Sequence, residues 1–204
     1  MQKLLIATTN IGKVREISLL LGSLPYDVVG LQDLSMIPPP VEETGTTFTA
    51  NAILKSEYYF YETGLLSLAD DSGLEVDALD GAPGVYSARF AGEDATDADR
   101  VQKLLELLQE TPDEKRTARF VCSLALTGNW TGKVQTNVFE GYAEGLVAHE
   151  PRGSGGFGYD PVFFDREVGR TFAELTREEK SARSHRGKAL TAAKAFLEGL
   201  RKNA

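Results

Sequence analysis

Two adjacent acids in the first half of the chain are the first candidates for catalytic or metal-binding residues. Asp70 and Asp71 follow a run of apolar and small residues and precede Ser72 and Gly73. Acids at the carboxyl end of a buried strand lie where open α/β sheets place their ligand crevices. Their oxygens suit Mg²⁺, which takes one or two carboxylates together with substrate phosphates. A plain Asp-Ser-Gly turn between two strands needs only one Asp, so the doublet favours a functional site.

A glycine-rich segment at residues 153–160 is the second candidate. It contains four glycines within six residues, which is costly unless the backbone takes unusual dihedral angles or approaches a ligand closely. Phe157 could stack on a nucleotide base, and Asp160 could accept a hydrogen bond from a ring N–H. A flexible hairpin is the alternative, but the specific side chains of the segment favour nucleotide binding.

The segment Thr-Thr-Asn-Ile-Gly-Lys at residues 8–13 could bind phosphate. A strand, a polar turn and a helix start would place backbone N–H groups and the Lys13 ammonium near an anion. The spacing differs from that of a Walker A motif, which ends in Lys-Ser or Lys-Thr. Taken alone, the segment is more typical of an ordinary helix start capped by Thr9 or Asn10.

Two further sets of polar residues are ambiguous by themselves. Glu42 and Glu43 follow three prolines within a few residues, and such prolines restrict a loop before any ligand binds. A solvated surface loop is an equally good interpretation. Lys55, in a predicted helix, could reach a phosphate, but a surface lysine is the better interpretation of the residue alone.

A basic segment precedes the last predicted helix. Lys180 lies shortly before His185 and Arg186. His185 and Arg186 are planar donors that could recognise a carbonyl oxygen of a base. Positive charge at a helix N-terminus is electrostatically unfavourable, which indicates that another requirement keeps it there.

The overall composition limits the classes of partner. The 204 residues carry a net charge of −8 and include a single cysteine, Cys122. An acidic chain without a basic stripe is a poor partner for DNA or RNA, although a few lysines could hold a small anion. One cysteine excludes an internal disulfide, and its apolar neighbours predict a buried thiol. The apolar N-terminal run is too short for a signal peptide or a membrane span, which predicts a cytoplasmic protein.

Hydrophobic periodicity and breaker residues predict intermixed helices and strands. Strands are predicted at residues 3–7, 26–31, 65–69, 74–79, 117–127 and 162–164, with one or two more within 134–146. Helices are predicted at residues 12–21, from a cap at Thr46 or Thr47 to residue 62 with a stop at Gly64, at 97–109 and at 186–201. No repeat or long linker interrupts the pattern, so an α/β or α+β fold around a mixed sheet follows.

Together and in this order, the motifs resemble those of the inosine triphosphate pyrophosphatase family. The matching segments are ATTNIGK at 7–13, EETG at 42–45, NAILK at 51–55, ADDSGL at 69–74, GAPGVYSAR at 81–89, GGFGYDP at 155–161, EEK at 178–180 and SHRG at 184–187. They span nearly the whole chain and are far more specific as a set than singly. Residues 128–138 match nothing diagnostic, and Thr9 stands at a position expected to vary.

The resemblance implies an α/β fold in which an elongated central mixed β-sheet carries flanking helices. Residues 1–204 would form a single domain whose two lobes surround a cleft, as in the ITPase and Maf folds. The resemblance also implies a homodimer that hydrolyses deaminated purine nucleoside triphosphates, such as ITP, dITP and XTP, to the monophosphate and pyrophosphate with Mg²⁺. No nucleic-acid or membrane partner is expected.

The same resemblance gives the matching residues their expected roles. Glu42 and Asp71 would bind Mg²⁺, and Asp71 would also activate the attacking water. Glu43 and Asp70 are neighbours that could share or exchange the metal role. The triphosphate would be held by Thr8, Thr9, Asn10, Ile11, Gly12, Lys13 and Lys55. The nucleoside pocket would be formed by Ser72, Phe157, Gly158, Tyr159, Asp160, Lys180, His185 and Arg186.

Two other functions are compatible with parts of the sequence. A Maf-type pyrophosphatase would act on other modified nucleoside triphosphates, but the GGFGYD and SHR segments speak against it. A non-catalytic nucleotide sensor would bind ITP tightly without releasing pyrophosphate. Intact acids at both expected metal positions make the sensor the weaker alternative.

Overall fold

The structure is a computed structural model that describes residues 1–130 and 132–202. Within that part of the chain the main elements are β1 (Gln2–Ile6), α1 (Ile11–Leu21), β2 (Tyr26–Gly30), α2 (Phe48–Thr63), β3 (Leu66–Val76), α3 (Asp97–Leu107), β4 (Thr117–Asn129), β5 (Val134–Val147), β6 (Phe163–Asp165), β7 (Arg170–Thr171), α4 (Arg177–Arg183) and α5 (His185–Lys202). The turn predicted between β4 and β5 includes Thr131, which lies outside the described residues.

The strands form one mixed sheet in the order β2-β1-β3-β4-β5-β6-β7. β1 is parallel to both β2 and β3, whereas β6 is antiparallel to β5 and β7. The predicted α/β class with a mixed sheet is confirmed. After β1, the chain forms β2 on one side of β1 and then β3 on the other side of β1. The carboxyl end of β1 therefore lies beside β3 at a topological switch point, where sheets of this kind bind ligands.

β3 is one continuous strand, Leu66–Val76, so the prediction of two strands separated by a turn at residues 70–73 is wrong. Its register pairs Ile6, the last residue of β1, with Leu68. β3 thus continues past the end of its neighbour. The two acids lie just beyond the carboxyl end of β1 and in the middle of their own strand.

Residue contacts divide the chain into two compact units. Of the described residues, unit 1 comprises Met1–Asp71, Cys122–Gly141 and residues 186–202, and unit 2 comprises Ser72–Val121 and Tyr142–His185. The largest core of unit 1 includes Leu4, Ile17, Cys122, Leu124 and Leu190. The core of unit 2 includes Leu74, Leu104, Phe120, Phe163 and Phe172. Each unit thus has its own apolar core, and Cys122 is buried as predicted.

Local sequence signals account for the limits of α2. The Thr47 hydroxyl accepts a hydrogen bond from the Ala50 N–H at 3.1 Å, and Gly64 ends the helix with a left-handed φ of 68°. Both residues are predicted correctly. α4 lies in a segment for which no helix is predicted, although Thr176 and Glu179 form a capping box at its start. None of the helices in the described ranges is both long and apolar enough to cross a membrane.

Candidate active site

The connection from β1 to α1 builds a polar helix start in unit 1. Asn10 caps the helix, because its Oδ1 accepts a hydrogen bond from the Lys13 N–H at 3.1 Å, and its own N–H donates to Thr8 Oγ1 at 3.2 Å. The capping role predicted for Asn10 is confirmed. No acidic residue lies in the first turn of α1, so the partial positive charge of this N-terminus is not offset there. Thr9, Asn10 and Ile11 are exposed, which leaves the helix end accessible to an anion.

Asp70 is buried and contacts two cations that come from distant parts of the sequence. One carboxylate oxygen contacts the Lys13 ammonium, and Arg186 Nε donates to Oδ2 at 2.8 Å. The Cys122 thiol donates to the same Oδ2 at 3.2 Å. Burial by itself would raise the pKa of Asp70, but the Arg186 guanidinium and the Lys13 ammonium outweigh burial and hold that pKa well below its ordinary value. Asp70 is therefore ionised at neutral pH.

Asp71 is buried as well, but its pKa moves in the opposite direction. Lys55 Nζ lies 3.0 Å from Asp71 Oδ1, and Asn51 Nδ2 donates to Asp71 Oδ2 at 3.2 Å. Desolvation raises the pKa of Asp71, attraction to Lys55 and Lys13 limits the rise, and repulsion from Glu43 adds to it. A carboxylate with a raised pKa accepts a proton more readily, as a general base must.

The alternation of side chains along β3 explains why two neighbouring acids have different surroundings. Successive residues of a strand point to opposite faces of the sheet. Asp70 meets Lys13 of α1 and Arg186 of α5, whereas Asp71 meets residues of α2. Both Asp70 oxygens contact cations, so a metal ion at Asp70 would compete with Lys13 and Arg186. The possible exchange of the metal role with Asp70 stays a prediction from the resemblance.

Lys55 is a buried lysine that joins two acids. Its Nζ lies 2.9 Å from Glu43 Oε1 in addition to its contact with Asp71. The interpretation of Lys55 as a surface residue is therefore wrong. Burial opposes the charge of Lys55, but attraction to Asp71 and Glu43 outweighs burial and raises its pKa. One cation faces two carboxylates here, so this group keeps a net negative charge.

The donor set of this cluster fits a magnesium ion. Carboxylate oxygens are the ligands that Mg²⁺ prefers, and it commonly takes only one or two of them from the protein. Glu42 is exposed, while Glu43 is half-buried and paired with Lys55. Glu42 precedes Glu43 in the chain, and Glu43 shares Lys55 with Asp71. Across residues 1–130 and 132–202, no three His, Cys, Asp or Glu side chains are grouped as a complete metal site.

In unit 2 the glycine-rich segment is organised around Asp160. Asp160 Oδ2 accepts hydrogen bonds from the Phe157 N–H at 2.8 Å and from Lys180 Nζ at 2.6 Å. Lys180 Nζ also lies 4.7 Å from the centre of the Phe157 ring, a cation–π contact. Gly156 has a φ of 72°, and a Cβ at this position would overlap the Asp160 carboxylate. The glycine therefore permits a close approach within the loop itself.

Other predicted nucleoside-binding residues of unit 2 make internal contacts. The Gly158 N–H donates to the first aspartate of α3 at 2.7 Å. The buried Tyr159 hydroxyl donates to the Ser87 carbonyl at 2.9 Å, and burial raises its pKa. His185 is buried and stacks on Phe120, with ring centres 4.6 Å apart and an angle of 14° between the planes. These contacts fix the positions of the side chains from within unit 2.

The predicted site residues are distributed over both units. Unit 1 contains Thr8, Thr9, Asn10, Ile11, Gly12, Lys13, Glu42, Lys55, Asp71 and Arg186, and unit 2 contains Ser72, Phe157, Gly158, Tyr159, Asp160, Lys180 and His185. Arg186, assigned to the nucleoside pocket by resemblance, donates to Asp70 and, through Nη1, to Glu16 Oε2 at 2.6 Å. Asn51 has no predicted site role, yet it bonds Asp71. The only sequence signal for this contact is that Asn51 lies one helical turn before Lys55.

Comparison with known proteins extends the similarity seen in the motifs to nearly the whole chain. A family model described as the Ham1 family matches residues 4–196. A dITP/XTP pyrophosphatase of Shigella flexneri is 53% identical over 201 residues, which are 98% of this chain and 99% of that protein. A dITP/XTP pyrophosphatase of Escherichia coli (strain K12) is 51% identical over the same shares of both chains.

Solved structures agree with the fold. A HAM1 protein from Coxiella burnetii superimposes with a TM-score of 0.87 at 44% identity and covers 98% of this chain and 100% of its own. A nucleoside-triphosphatase, also named dITP/XTP pyrophosphatase, from Mycobacterium abscessus gives a TM-score of 0.75 at 45% identity, with 94% and 98% covered. At these identities the likeness extends beyond the fold to sequence, and the resemblance drawn from the motifs is confirmed.

Proposed function

The chain belongs to the Ham1 family, and we propose that it hydrolyses deaminated purine nucleoside triphosphates, including dITP and XTP, to the nucleoside monophosphate and pyrophosphate. Its relatives from Shigella flexneri and Escherichia coli carry the name dITP/XTP pyrophosphatase. The observation in unit 1 that best supports hydrolysis is the buried Asp71 carboxylate with its raised pKa, held between Lys55 and Asn51. Such a group is typical of an activated base at a functional site.

Asp71 is the proposed general base. Cleavage between the α- and β-phosphates requires a positioned water whose proton is removed as it attacks. The carboxylate of Asp71 would take that proton. The contact with Lys55 and the hydrogen bond from Asn51 hold the two carboxylate oxygens in fixed directions, so the base needs little rearrangement at the moment of reaction.

Cations and helix N–H groups of unit 1 are the proposed triphosphate ligands. The exposed N-terminus of α1, at Asn10 and Ile11, offers backbone donors and a positive dipole end. Lys13 and Lys55 contribute positive charge, which offsets the charge that develops on the phosphate oxygens. Both lysines already contact carboxylates, so their positions are set before the substrate binds.

Magnesium is the proposed cofactor, with Glu42 and Asp71 as its protein ligands. The bound ion would supply Lewis-acid stabilisation of charge on the phosphate oxygens. Glu43 is the alternative to Glu42, and its carboxylate, like that of Asp71, contacts Lys55. The resemblance favours Glu42, which is the more exposed of the two glutamates.

The proposed nucleoside ligands are the unit 2 residues already assigned by resemblance, together with Arg186. Phe157 would stack on the base; its ring contacts Lys180, and its backbone N–H donates to Asp160. Donors such as His185 would be directed at the C6 oxygen of a keto purine. Adenine has an amino group at C6, which is itself a donor. It would face the protein's donor groups and leave them without a hydrogen-bond acceptor. Selection against ATP would follow from this mismatch.

Pyrophosphate release is the direct test. The protein would be supplied with dITP, XTP, ATP and GTP, each with Mg²⁺ and with EDTA, and Asp71→Asn would serve as the control for contaminating hydrolases. Metal-dependent release confined largely to dITP and XTP, and lost in the variant, would support the proposal. Equal release from ATP and GTP would contradict the proposed selectivity.

The same experiment separates the alternatives. Tight dITP binding with no release of pyrophosphate would favour the nucleotide sensor. Release from modified pyrimidine triphosphates rather than from dITP would favour a Maf-type activity. A homodimer remains a prediction from the resemblance, and gel filtration with light scattering would test it. A cytoplasmic location remains a prediction from the short apolar N-terminal run.

A further inference from the structure

Asn51 is a buried polar residue of α2 that bonds two different parts of unit 1. Its side-chain Oδ1 accepts a hydrogen bond from the Gly45 N–H at 2.8 Å, and its Nδ2 donates to Asp71 Oδ2 at 3.2 Å. Only 1% of Asn51 is exposed. The two partners fix the orientation of the amide, since only the NH₂ group can face a carboxylate and only the oxygen can face an N–H.

Lys55 makes a parallel pair of contacts one helical turn later. Residues four apart lie on the same face of a helix, and Lys55 reaches Asp71 Oδ1 at 3.0 Å and Glu43 Oε1 at 2.9 Å. The two oxygens of Asp71 are therefore bonded separately by two side chains of α2. Each of those side chains also contacts the loop of residues 42–45, which carries the candidate metal ligands.

The loop lies so close to α2 that a side chain at position 45 would not fit. A Cβ on Gly45 would lie 2.6 Å from Asn51 Oδ1 and 2.9 Å from the Ala50 Cβ. Such distances require one of the two segments to move. The absence of a side chain at Gly45 is thus what allows the Gly45 N–H to reach Asn51.

We propose that Asn51 is a positioning residue that sets the direction of the Asp71 carboxylate and ties the loop of Glu42 and Glu43 to it. The inference rests on the proposed hydrolysis, since it assigns Asn51 a role in the same site. Asn51 does not touch the reacting atoms in this role. It acts through Asp71 and through the loop. Its loss should lower kcat, because a small displacement of a catalytic group slows the reaction strongly.

Two substitutions separate the two bonds of Asn51. Asn51→Ala removes both. Asn51→Asp keeps the acceptor for the Gly45 N–H and nearly the same shape, but it replaces the donor to Asp71 with a second carboxylate oxygen. Asn129, an exposed residue at the end of β4, provides the matched control, because Asn129→Asp makes the same chemical change outside the site.

The experiment measures kcat and KM for dITP, the unfolding temperature, and amide hydrogen exchange at Gly45. We expect kcat to fall about 100-fold in both Asn51 variants, and KM of Asn51→Ala to stay within about threefold of the wild-type value. Exchange at Gly45 should accelerate in Asn51→Ala and stay slow in Asn51→Asp. Asn129→Asp should match the wild type in every measurement.

Several outcomes would overturn the proposal. Wild-type kcat in Asn51→Asp would show that the bond to Asp71 is not needed. A loss of kcat in Asn51→Ala that merely matches its unfolded fraction would make Asn51 a purely structural residue. If Asn51→Ala does not fold, Asn51→Asp carries the kinetic test. Failure of the proposed function would look different, because the wild type would then release no pyrophosphate. Hydrogen exchange at Gly45 does not depend on activity, so unchanged exchange in Asn51→Ala would refute the proposed tie between Asn51 and the loop.

Discussion

The Lys55 ammonium lies 3.0 Å from Asp71 Oδ1, and yet the pKa of Asp71 remains above its ordinary value. Desolvation is the larger effect on Asp71, and Lys55 shares its single charge with Glu43, which repels Asp71 in turn. Lys55 itself, facing two acids, has a raised pKa. The arrangement keeps the lysine charged and leaves the aspartate incompletely compensated, which favours proton acceptance by Asp71.

Asp71→Asn should abolish most turnover without weakening the fold. We expect kcat for dITP to fall by about 10³-fold, within the range for loss of a general base. The folded protein raises the pKa of Asp71, so ionised Asp71 is less favourable in the folded than in the unfolded state. Removing this charge should leave the unfolding temperature at pH 7 unchanged or higher. Steady-state kinetics and thermal unfolding check both statements, and near wild-type kcat would remove Asp71 from the mechanism.

Asp70→Asn should have the opposite balance of effects on stability. Arg186 and Lys13 would lose a buried counter-charge, and breaking a buried ion pair from one side costs about 3–5 kcal/mol. The folded pKa of Asp70 is well below normal, so its contribution is complete above the unfolded value of about 4 and declines as pH falls below it. Urea unfolding should show a large difference between wild type and variant at pH 7 and a smaller one at pH 3.5. Equal midpoints at pH 7 would contradict the role given to Asp70.

Phe157→Ala should weaken substrate binding more than it slows turnover. Stacking of an aromatic side chain on a base contributes about 1–3 kcal/mol, so KM for dITP and XTP should rise about tenfold or more. Tyr61, an aromatic residue of α2 that is 69% exposed, gives the matched control Tyr61→Ala. An unchanged KM in Phe157→Ala would exclude base stacking by this ring.

Tyr159→Phe tests whether a predicted substrate ligand acts only inside unit 2. The variant loses the hydroxyl that donates to the Ser87 carbonyl, and a buried carbonyl left without its donor costs about 1–3 kcal/mol. We expect a lower unfolding temperature. The hydroxyl is already bonded to Ser87, so the proposed contact with the nucleoside would be made by the ring, which the variant keeps, and kcat and KM should stay unchanged. A large rise in KM at unchanged stability would instead give the hydroxyl a place in substrate binding.

The sequence predicts α2 well because local signals set its limits. Thr47 and Gly64 act through hydrogen bonds and backbone conformation within a few residues of themselves. The same reasoning fails for β3, where the acids at 70 and 71 resemble a turn. Their charges are balanced by Lys13, Lys55 and Arg186, and no local pattern shows which distant cation will meet which acid.

The candidate site is predicted from motif resemblance rather than from periodicity. Lys55 by itself resembles a surface lysine, and its burial depends on Glu43 and Asp71, which lie 12 and 16 positions away. The role of Asn51 is equally hard to predict from sequence, because its hydrogen-bond partners lie in a loop and in a strand. Pairings of this kind are tertiary, so the sequence of one element does not contain them.

Asp70 and Asp71 point to opposite faces of β3, so the site depends on the number of residues in the strand as well as on their identity. Inserting or deleting one residue between Leu68 and Asp70 would carry each acid to the opposite face. The acid now paired with Arg186 would then be presented to Lys55, and the proposed base would enter the environment that suppresses protonation. Point substitutions at this segment can therefore alter one acid at a time, whereas a single-residue insertion or deletion would disable both together.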